Sequence, residues 1–256
     1  DTVARLGGDE FAVLLEQTEE REALIVANRI MEGLALPLRV GDTDFAVQAS
    51  IGVVASCRVT DPVELLRAAD IAMYAAKRDG KGRVSMFRDH MHDEAKIQLT
   101  LRMDLAGALQ RGELSLAYQP IVDTAAGEVR GFEALLRWQH PERGAIPPND
   151  LIPIAEQTGL ITPIGAWVLR SACAEAARWA NRPGQPYVSV NVSALQLRDL
   201  EFVTTVADAL RDTHLAPERL LLEITESMLI NEAALTREAL SQLRALGVRV
   251  AIDDFG

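Results

Sequence analysis

From residue 114 onward, short apolar runs alternate with helical patterns, and this alternation limits the fold more than any other feature of the sequence. Two runs, 114–122 and 128–136, flank a turn at 124–127 and predict an antiparallel pair. Later apolar runs lie at 187–193, 220–225 and 248–254. Helical patterns lie at 148–157, 163–179, 199–212 and 232–246. Buried strands joined by crossover helices predict an α/β fold with a parallel sheet, and the period favours a (β/α) barrel over a short doubly wound fold.

Oxygen-bearing side chains lie near the C-terminal ends of the predicted strands. They are Glu133, Asn191, Glu223 and Asp253. Strand ends of such barrels meet at one face, so residues far apart in sequence converge there. Oxygen donors without Cys or His suit Mg²⁺ or Mn²⁺ rather than zinc. The sequence therefore predicts a metal site at this face, although Asn191 alone also fits a turn residue, Glu223 a salt-bridge partner and Asp253 a helix N-cap.

The stretch 131–138 combines a carboxylate and a guanidinium in an otherwise apolar run. Because side chains in a strand repeat every two residues, Glu133, Leu135 and Arg137 should share one face. A charge on the buried side of a strand is costly unless it is paired, which makes Glu133 a candidate metal ligand or ion-pair partner. An edge strand with both charges in solvent is the alternative.

The first part of the chain, residues 1 to about 88, contains a Gly-Gly turn between two strand-like runs. Gly7 and Gly8 predict a tight hairpin with Asp9 and Glu10 at its tip. Helical patterns at 18–36 and 61–78 and a strand-like run at 45–54 follow. Taken alone, such a turn is compatible with an ordinary hairpin as well as with a ligand site.

The segment 7–11 resembles the signature of the GGDEF domain, the diguanylate cyclase family that joins two GTP molecules into cyclic di-GMP. The segments 49–53 and 69–77 support the resemblance. It implies that Gly7 and Gly8 approach the nucleotide.

The same resemblance assigns roles to charged residues. It implies that Asp9 ligates Mg²⁺ and that Glu10 assists at that site. It also implies phosphate contacts for Lys77 and Lys81, which otherwise fit a solvated helix end.

The sequence departs from the GGDEF pattern in two respects. The family's first strand, with its second metal-binding Asp, should precede residue 1, and Gly82 stands where the family usually has Asn. One carboxylate rarely holds Mg²⁺ productively. We therefore expect these residues alone to make no cyclic di-GMP.

Residues 89–110 predict a helix between the two parts, with Leu101, Leu105 and Leu109 at helical spacing. No Pro/Gly/Ser-rich linker is present, so a stiff joint is expected rather than a tether.

Residues from about 95 to 256 resemble the EAL domain, the family of cyclic di-GMP phosphodiesterases that open the ring to linear pGpG. The resemblance rests on the segments 118–120, 133–137, 191–193, 223–227 and 253–256. It implies that Glu133, Asn191, Glu223 and Asp253 are metal ligands and that Asp254 serves a second metal.

Other roles follow from the same resemblance. Gln119 and Arg137 would hold the dinucleotide, Arg137 through a charge-assisted contact to phosphate. Glu226 would brace the loop after the strand that carries Asp253 and Asp254. The sequence ends at Gly256, inside the family motif, so we expect an incomplete barrel that is poorly stable and inactive by itself.

The bulk properties exclude some classes of function. A formal net charge of −11 argues against binding a nucleic-acid polymer, because phosphate neutralisation needs clustered Lys and Arg. Cys57 and Cys173 form no metal or disulfide motif and suggest reduced cytosolic thiols. We expect a cytoplasmic location, and a membrane-anchored parent with this chain in its cytoplasmic portion is compatible with that expectation.

Three functions of the intact parent stay open. They are cyclic di-GMP hydrolysis, hydrolysis combined with synthesis from GTP, and nucleotide binding without turnover. Family analogy also implies a homodimer and an upstream sensory domain.

Overall fold

The computed structural model describes residues 1–41, 43–45, 47–56, 61–78, 80, 82–179, 184–199, 201–225 and 235–253. The chain forms two compact units, Asp1–Leu99 and Thr100–Gly256. Within the described residues, no helix combines the length and the apolar character that crossing a membrane requires. The finer boundaries expected at 1–88, 89–110 and 111–256 remain a prediction.

The first unit opens with an antiparallel hairpin of β1 (Thr2–Gly7) and β2 (Glu10–Leu14). Gly8 at its turn has a left-handed φ of 53°, which glycine adopts without a steric penalty. The predicted hairpin is therefore confirmed.

The remaining elements of the first unit are two helices and four short strands. They are α1 (Glu20–Ala35), β3 (Leu38–Val40), β4 (Thr43–Phe45), β5 (Ile51–Val53), α2 (Pro62–Arg78) and β6 (Val84–Met86). The single strand expected at 45–54 is wrong. Strand β4 pairs with β3 in a hairpin, whereas β5 pairs in parallel with β6, so the two ends of that run serve different partners.

Helix α2 packs directly against the backbone of β5. A Cβ added to Gly52 would lie 1.9 Å from the carbonyl oxygen of Ala69, far inside contact distance. Asp61 begins α2 as predicted, since its Oδ1 accepts hydrogen bonds from the backbone N–H groups of Val63 and Glu64 at 2.9 and 3.0 Å.

Helix α3 (His90–Ala108) begins in the first unit and ends in the second. The strands of the second unit are β7 (Leu114–Asp123), β8 (Glu128–His140), β9 (Gly144–Ile146), β10 (Tyr187–Asn191), β11 (Leu220–Thr225) and β12 (Arg249–Asp253). Its other helices are α4 (Pro148–Gln157), α5 (Ile161–Arg178), α6 (Ala194–Arg198), α7 (Phe202–Thr213) and α8 (Leu235–Ala245).

The strand order is β12-β11-β10-β8-β7, and β9 pairs with β8 outside this path. Strands β8, β10, β11 and β12 run parallel, and β7 is antiparallel to β8. The predicted α/β class with crossover helices is confirmed.

One face of this sheet packs against the helices and forms the core. Its buried side chains include Ala134, Val188, Val190, Leu220, Leu222 and Ile224. Because side chains alternate along a strand, the intervening residues point to the opposite face, hereafter the inner face.

Two differences from the expected elements have local causes. The strand expected at 187–193 ends at Asn191, because Ser193 forms the N-terminal capping box of α6 with Gln196. Strand β8 continues to His140, beyond the predicted end at 136, because its last residues pair with β9.

The far end of β8 is fixed by polar contacts within the second unit. The indole N–H of Trp138 donates to Glu113 at 3.1 Å. His140 accepts backbone N–H bonds at Nδ1, so its Nε2 carries the proton that it donates to Asp104 at 3.1 Å. These contacts hold the strand that carries Glu133.

Gly52→Ala should destabilise the protein by about 1–3 kcal/mol or more, because the new methyl group must displace backbone. Thermal melting will measure the loss. Gly33→Ala is the matched control: Gly33 lies within α1 with nothing near its added Cβ, so alanine should stabilise the helix slightly. A Gly52→Ala protein as stable as the wild type would contradict the packing of α2 on β5.

Candidate metal and nucleotide site

The strand register places the candidate ligands on the inner face. Asn191 pairs with Glu223 across β10 and β11, and Thr225 pairs with Asp253 across β11 and β12. Ser189, two residues before Asn191, pairs with Glu133 on β8. Since paired residues of neighbouring strands point to the same side, Glu133, Asn191, Glu223 and Asp253 share this face.

Glu133 lies in the middle of β8 rather than near its end, which corrects the expectation from the sequence. The part of β8 that pairs with β10 covers only Gly131–Ala134, and the rest pairs with β7 and β9. Glu133 therefore does lie near the end of the parallel part of its strand.

A hydrogen bond joins two of the predicted ligands. The amide Nδ2 of Asn191 donates to Oε1 of Glu133 at 2.7 Å, although the residues are 58 positions apart in the chain. This bond uses the amide nitrogen, so it does not consume the Asn191 carbonyl oxygen, which is the atom that a metal ion would bind.

Glu223 has a pKa above the ordinary value for glutamate. Half-burial of the carboxyl is the largest cause, and the negative charges of Glu133 and Asp253 raise the pKa further. The Ser189 hydroxyl lies beside Glu223 without reaching the geometry of a hydrogen bond. The carboxylates on this face therefore repel one another, and a bound cation would relieve that repulsion.

The donor set fits a hard divalent cation. All four predicted ligands carry oxygen donors, and they converge on one face. Within the described residues, no three His, Cys, Asp or Glu side chains lie close enough together to hold a metal ion.

Two predicted nucleotide-binding residues flank the carboxylates. Gln119 on β7 is exposed and pairs directly with Glu133, so it shares the inner face. Arg137 follows four residues after Glu133 on the same side of β8, about 13 Å further along the strand. Its Nη1 donates to the carbonyl oxygen of Leu136 at 3.0 Å. Asp254 and Glu226 lie outside the described residues.

The candidate nucleotide residues of the first unit occupy exposed positions. Gly7, Gly8, Asp9 and Glu10 form the end of the β1–β2 hairpin. Lys77 lies exposed in the last turn of α2, and Lys81 lies outside the described residues.

Sequence reasoning missed Arg5, which braces the turn of the hairpin. Its guanidinium donates two hydrogen bonds, at 3.0 and 2.6 Å, to the carbonyl oxygen of Gly8. Its position in the strand just before the two glycines was the signal available in the sequence.

Three further residues that sequence reasoning missed lie together on the inner face, where the parallel pairing of β8, β10 and β12 begins. The guanidinium of Arg249 lies 4.8 Å from the ring centroid of Tyr187, in a cation–π contact. The same ring covers Gly131, where an added Cβ would lie 2.7 Å from it. Each of them lies two residues before a position on the inner face, namely Glu133, Ser189 or Ala251. This spacing was the signal available in the sequence.

Glu223→Gln should stabilise the metal-free protein and abolish its stabilisation by Mn²⁺. Because folding raises the pKa of Glu223, its protonated carboxyl favours the folded state below the ordinary glutamate pKa. This contribution to the stability of the protein is lost as the pH rises through the raised pKa. The melting temperature in EDTA should therefore rise by a few degrees at neutral pH, and the gain should vanish near about pH 4.

Glu142→Gln, at an exposed glutamate in the turn between β8 and β9, is the control and should change neither quantity. A Glu223→Gln protein that melts lower than the wild type in EDTA, or that Mn²⁺ still stabilises, would contradict this description of the face.

Comparison with known families supports the division of the chain. The family model of the EAL domain matches residues 102–256, and that of the diguanylate cyclase GGDEF domain matches residues 1–83.

Named relatives match almost the entire chain. The bifunctional diguanylate cyclase/cyclic di-GMP phosphodiesterase MucR of Pseudomonas aeruginosa is 41% identical over 100% of this chain and 38% of its own length. The cyclic di-GMP phosphodiesterase PdeR of Escherichia coli is 39% identical over 99% of this chain and 38% of its own length. The chain thus spans about a third of the length of the curated relatives it matches, between 31% and 38%.

A solved structure is similar in fold. The PaMucR phosphodiesterase in complex with c-di-GMP is 44% identical, with a TM-score of 0.59, and the match covers 61% of this chain and 64% of that one. Together with the family match to 155 of the 256 residues (102–256), this likeness identifies the sheet of the second unit as part of an EAL barrel. The chain therefore belongs to the EAL domain family and carries a GGDEF domain segment ahead of its EAL domain.

Proposed function

We propose that the protein containing this chain hydrolyses cyclic di-GMP to linear pGpG at the inner face of the EAL unit, with bound Mg²⁺ or Mn²⁺. The observation that carries the proposal is the convergence of Glu133, Asn191, Glu223 and Asp253 from four adjacent parallel strands. A half-buried glutamate whose pKa is raised by burial and by neighbouring carboxylates, as that of Glu223 is, is typical of functional sites.

The comparisons support both substrate and reaction. MucR and PdeR are named as cyclic di-GMP phosphodiesterases, and the MucR complex contains c-di-GMP. The EAL phosphodiesterase family is metal-dependent, which agrees with a face that supplies only oxygen donors.

The residues divide into those that hold cations and those that hold substrate. Glu133, Asn191, Glu223 and Asp253 would ligate a first cation, and Asp254 would ligate a second. When bound, such cations neutralise phosphate oxygens, lower the pKa of a water molecule and stabilise the leaving alkoxide. Hydrolysis adds that water across one phosphodiester, so the ring opens to a linear dinucleotide with one terminal phosphate.

The neighbouring residues orient the dinucleotide. Arg137 would donate charge-assisted hydrogen bonds to a phosphate, because a guanidinium matches phosphate geometry. Gln119, beside Glu133 in the strand register, would contact the nucleotide next to the cations. Glu226 would support the loop that follows β12, the strand that carries Asp253.

One observation favours a second function, the condensation of two GTP molecules by a complete GGDEF domain. The signature 7–11 is unaltered, and the hairpin presents Asp9 and Glu10 exposed beside a left-handed Gly8. A receptor that binds nucleotide without turnover is the remaining alternative. A homodimer, an upstream sensory domain and a cytoplasmic location of both units belong to the same proposal.

Glu133→Gln in the full-length protein should reduce metal-dependent hydrolysis of cyclic di-GMP by at least about a hundredfold. Loss of an outer partner of a metal ligand already costs about 10–100-fold, and Glu133 is proposed as a ligand itself. Production of pGpG measured by chromatography tests this. Glu128→Gln, an exposed glutamate on the same strand, is the control and should keep wild-type activity. Full Mg²⁺-dependent activity in Glu133→Gln would overturn the proposed function.

Arg137→Lys should raise the KM for cyclic di-GMP about tenfold or more, because one charge-assisted hydrogen bond is worth about 1.5–3 kcal/mol. The affinity for Mn²⁺ should stay unchanged. Steady-state kinetics and metal titration separate the two effects. Arg130→Lys, at an exposed arginine paired with Asp123, is the matched control. A change in Mn²⁺ affinity with unchanged KM would assign Arg137 to the metal site instead.

A further inference from the structure

A buried hydroxyl without a hydrogen-bond partner lies on the inner face. Ser189 is completely buried, at 0% relative exposure, and its Oγ has no hydrogen-bond partner. Most buried polar side-chain atoms in proteins are hydrogen-bonded, so a buried hydroxyl oxygen without a partner needs a physical explanation. Alanine would fill the same place in the strand without an unpaired oxygen.

The surroundings of Ser189 point to one partner. In the strand register it lies between Glu133 on β8 and Leu221 on β11, and Glu223 follows Leu221 on the same face. The leucine offers no acceptor, and Glu133 already accepts a hydrogen bond from Asn191. The carboxylate of Glu223 is the acceptor beside the hydroxyl.

We propose that Ser189 is a positioning residue that donates its hydrogen bond to Glu223 when this carboxylate binds a cation. The inference rests on the proposed function, because it needs a metal at Glu223. The hydroxyl has no hydrogen-bond partner in the structure. With a cation held at Glu223, one carboxylate oxygen would be left to accept from Ser189.

This role makes a distinctive prediction, because the hydroxyl is useful only in the metal-loaded protein. Removing it should not lower the stability of the metal-free protein, since no hydrogen bond is lost there. It should weaken metal binding about 10–100-fold, as is typical for partners that orient a metal ligand. A merely structural serine would behave in the opposite way.

The experiment compares the wild type with Ser189→Ala and Ser189→Thr in the full-length protein. The readouts are the Mn²⁺ dissociation constant, from electron paramagnetic resonance of free Mn²⁺, and the melting temperature in EDTA. We expect Ser189→Ala to bind Mn²⁺ at least about tenfold more weakly, with an unchanged or higher melting temperature. Ser189→Thr keeps the hydroxyl and should bind Mn²⁺ more tightly than Ser189→Ala.

Ser171→Ala, which removes a hydroxyl on helix α5, is the control and should leave Mn²⁺ binding at the wild-type level. Wild-type affinity in Ser189→Ala, a lower melting temperature in EDTA, or Ser189→Thr binding no better than Ser189→Ala would overturn the inference while leaving the proposed function intact. A wild-type protein that binds no Mn²⁺ would overturn both.

Discussion

Electrostatic repulsion among carboxylates on one face of a parallel sheet is the constraint on which the rest of the EAL unit depends. The strand register fixes Glu133, Glu223 and Asp253 on that face, and burial makes the charge on Glu223 more costly still. The opposite face carries the apolar core, which holds the strands in place against this repulsion. A divalent cation bound at this face would offset the cost of holding these carboxylates together.

Much of this arrangement follows from the sequence alone. Alternation along a strand puts Glu133 and Arg137 on one side, and parallel order brings Asn191, Glu223 and Asp253 to the same face. Where the local pattern predicted the wrong bounds for a strand, the actual bounds were set by the strand with which it pairs. The run at 45–54 divides because its two ends pair with different strands, and β8 extends past 136 because β9 is available to it.

Other features depend on tertiary structure that no local pattern encodes. Nothing in the local sequence marks Ser189, and only the packing of neighbouring strands shows that its hydroxyl is buried without a hydrogen-bond partner. The contacts of the Tyr187 ring with Gly131 and Arg249 likewise form only when β8, β10 and β12 pack together. Sequence reasoning thus found the candidate ligands that share the inner face and missed the residues that pack around them.

The central claim is that a divalent cation binds among Glu133, Asn191, Glu223 and Asp253. The most direct measurement is a crystal structure of the full-length protein grown with Mn²⁺ and cyclic di-GMP, with anomalous diffraction to locate the metal. The account predicts an anomalous peak within about 2.0–2.3 Å of oxygens from these four side chains, with a phosphate of the dinucleotide beside it. A Mn²⁺ peak elsewhere, with the dinucleotide bound away from the inner face, would contradict it.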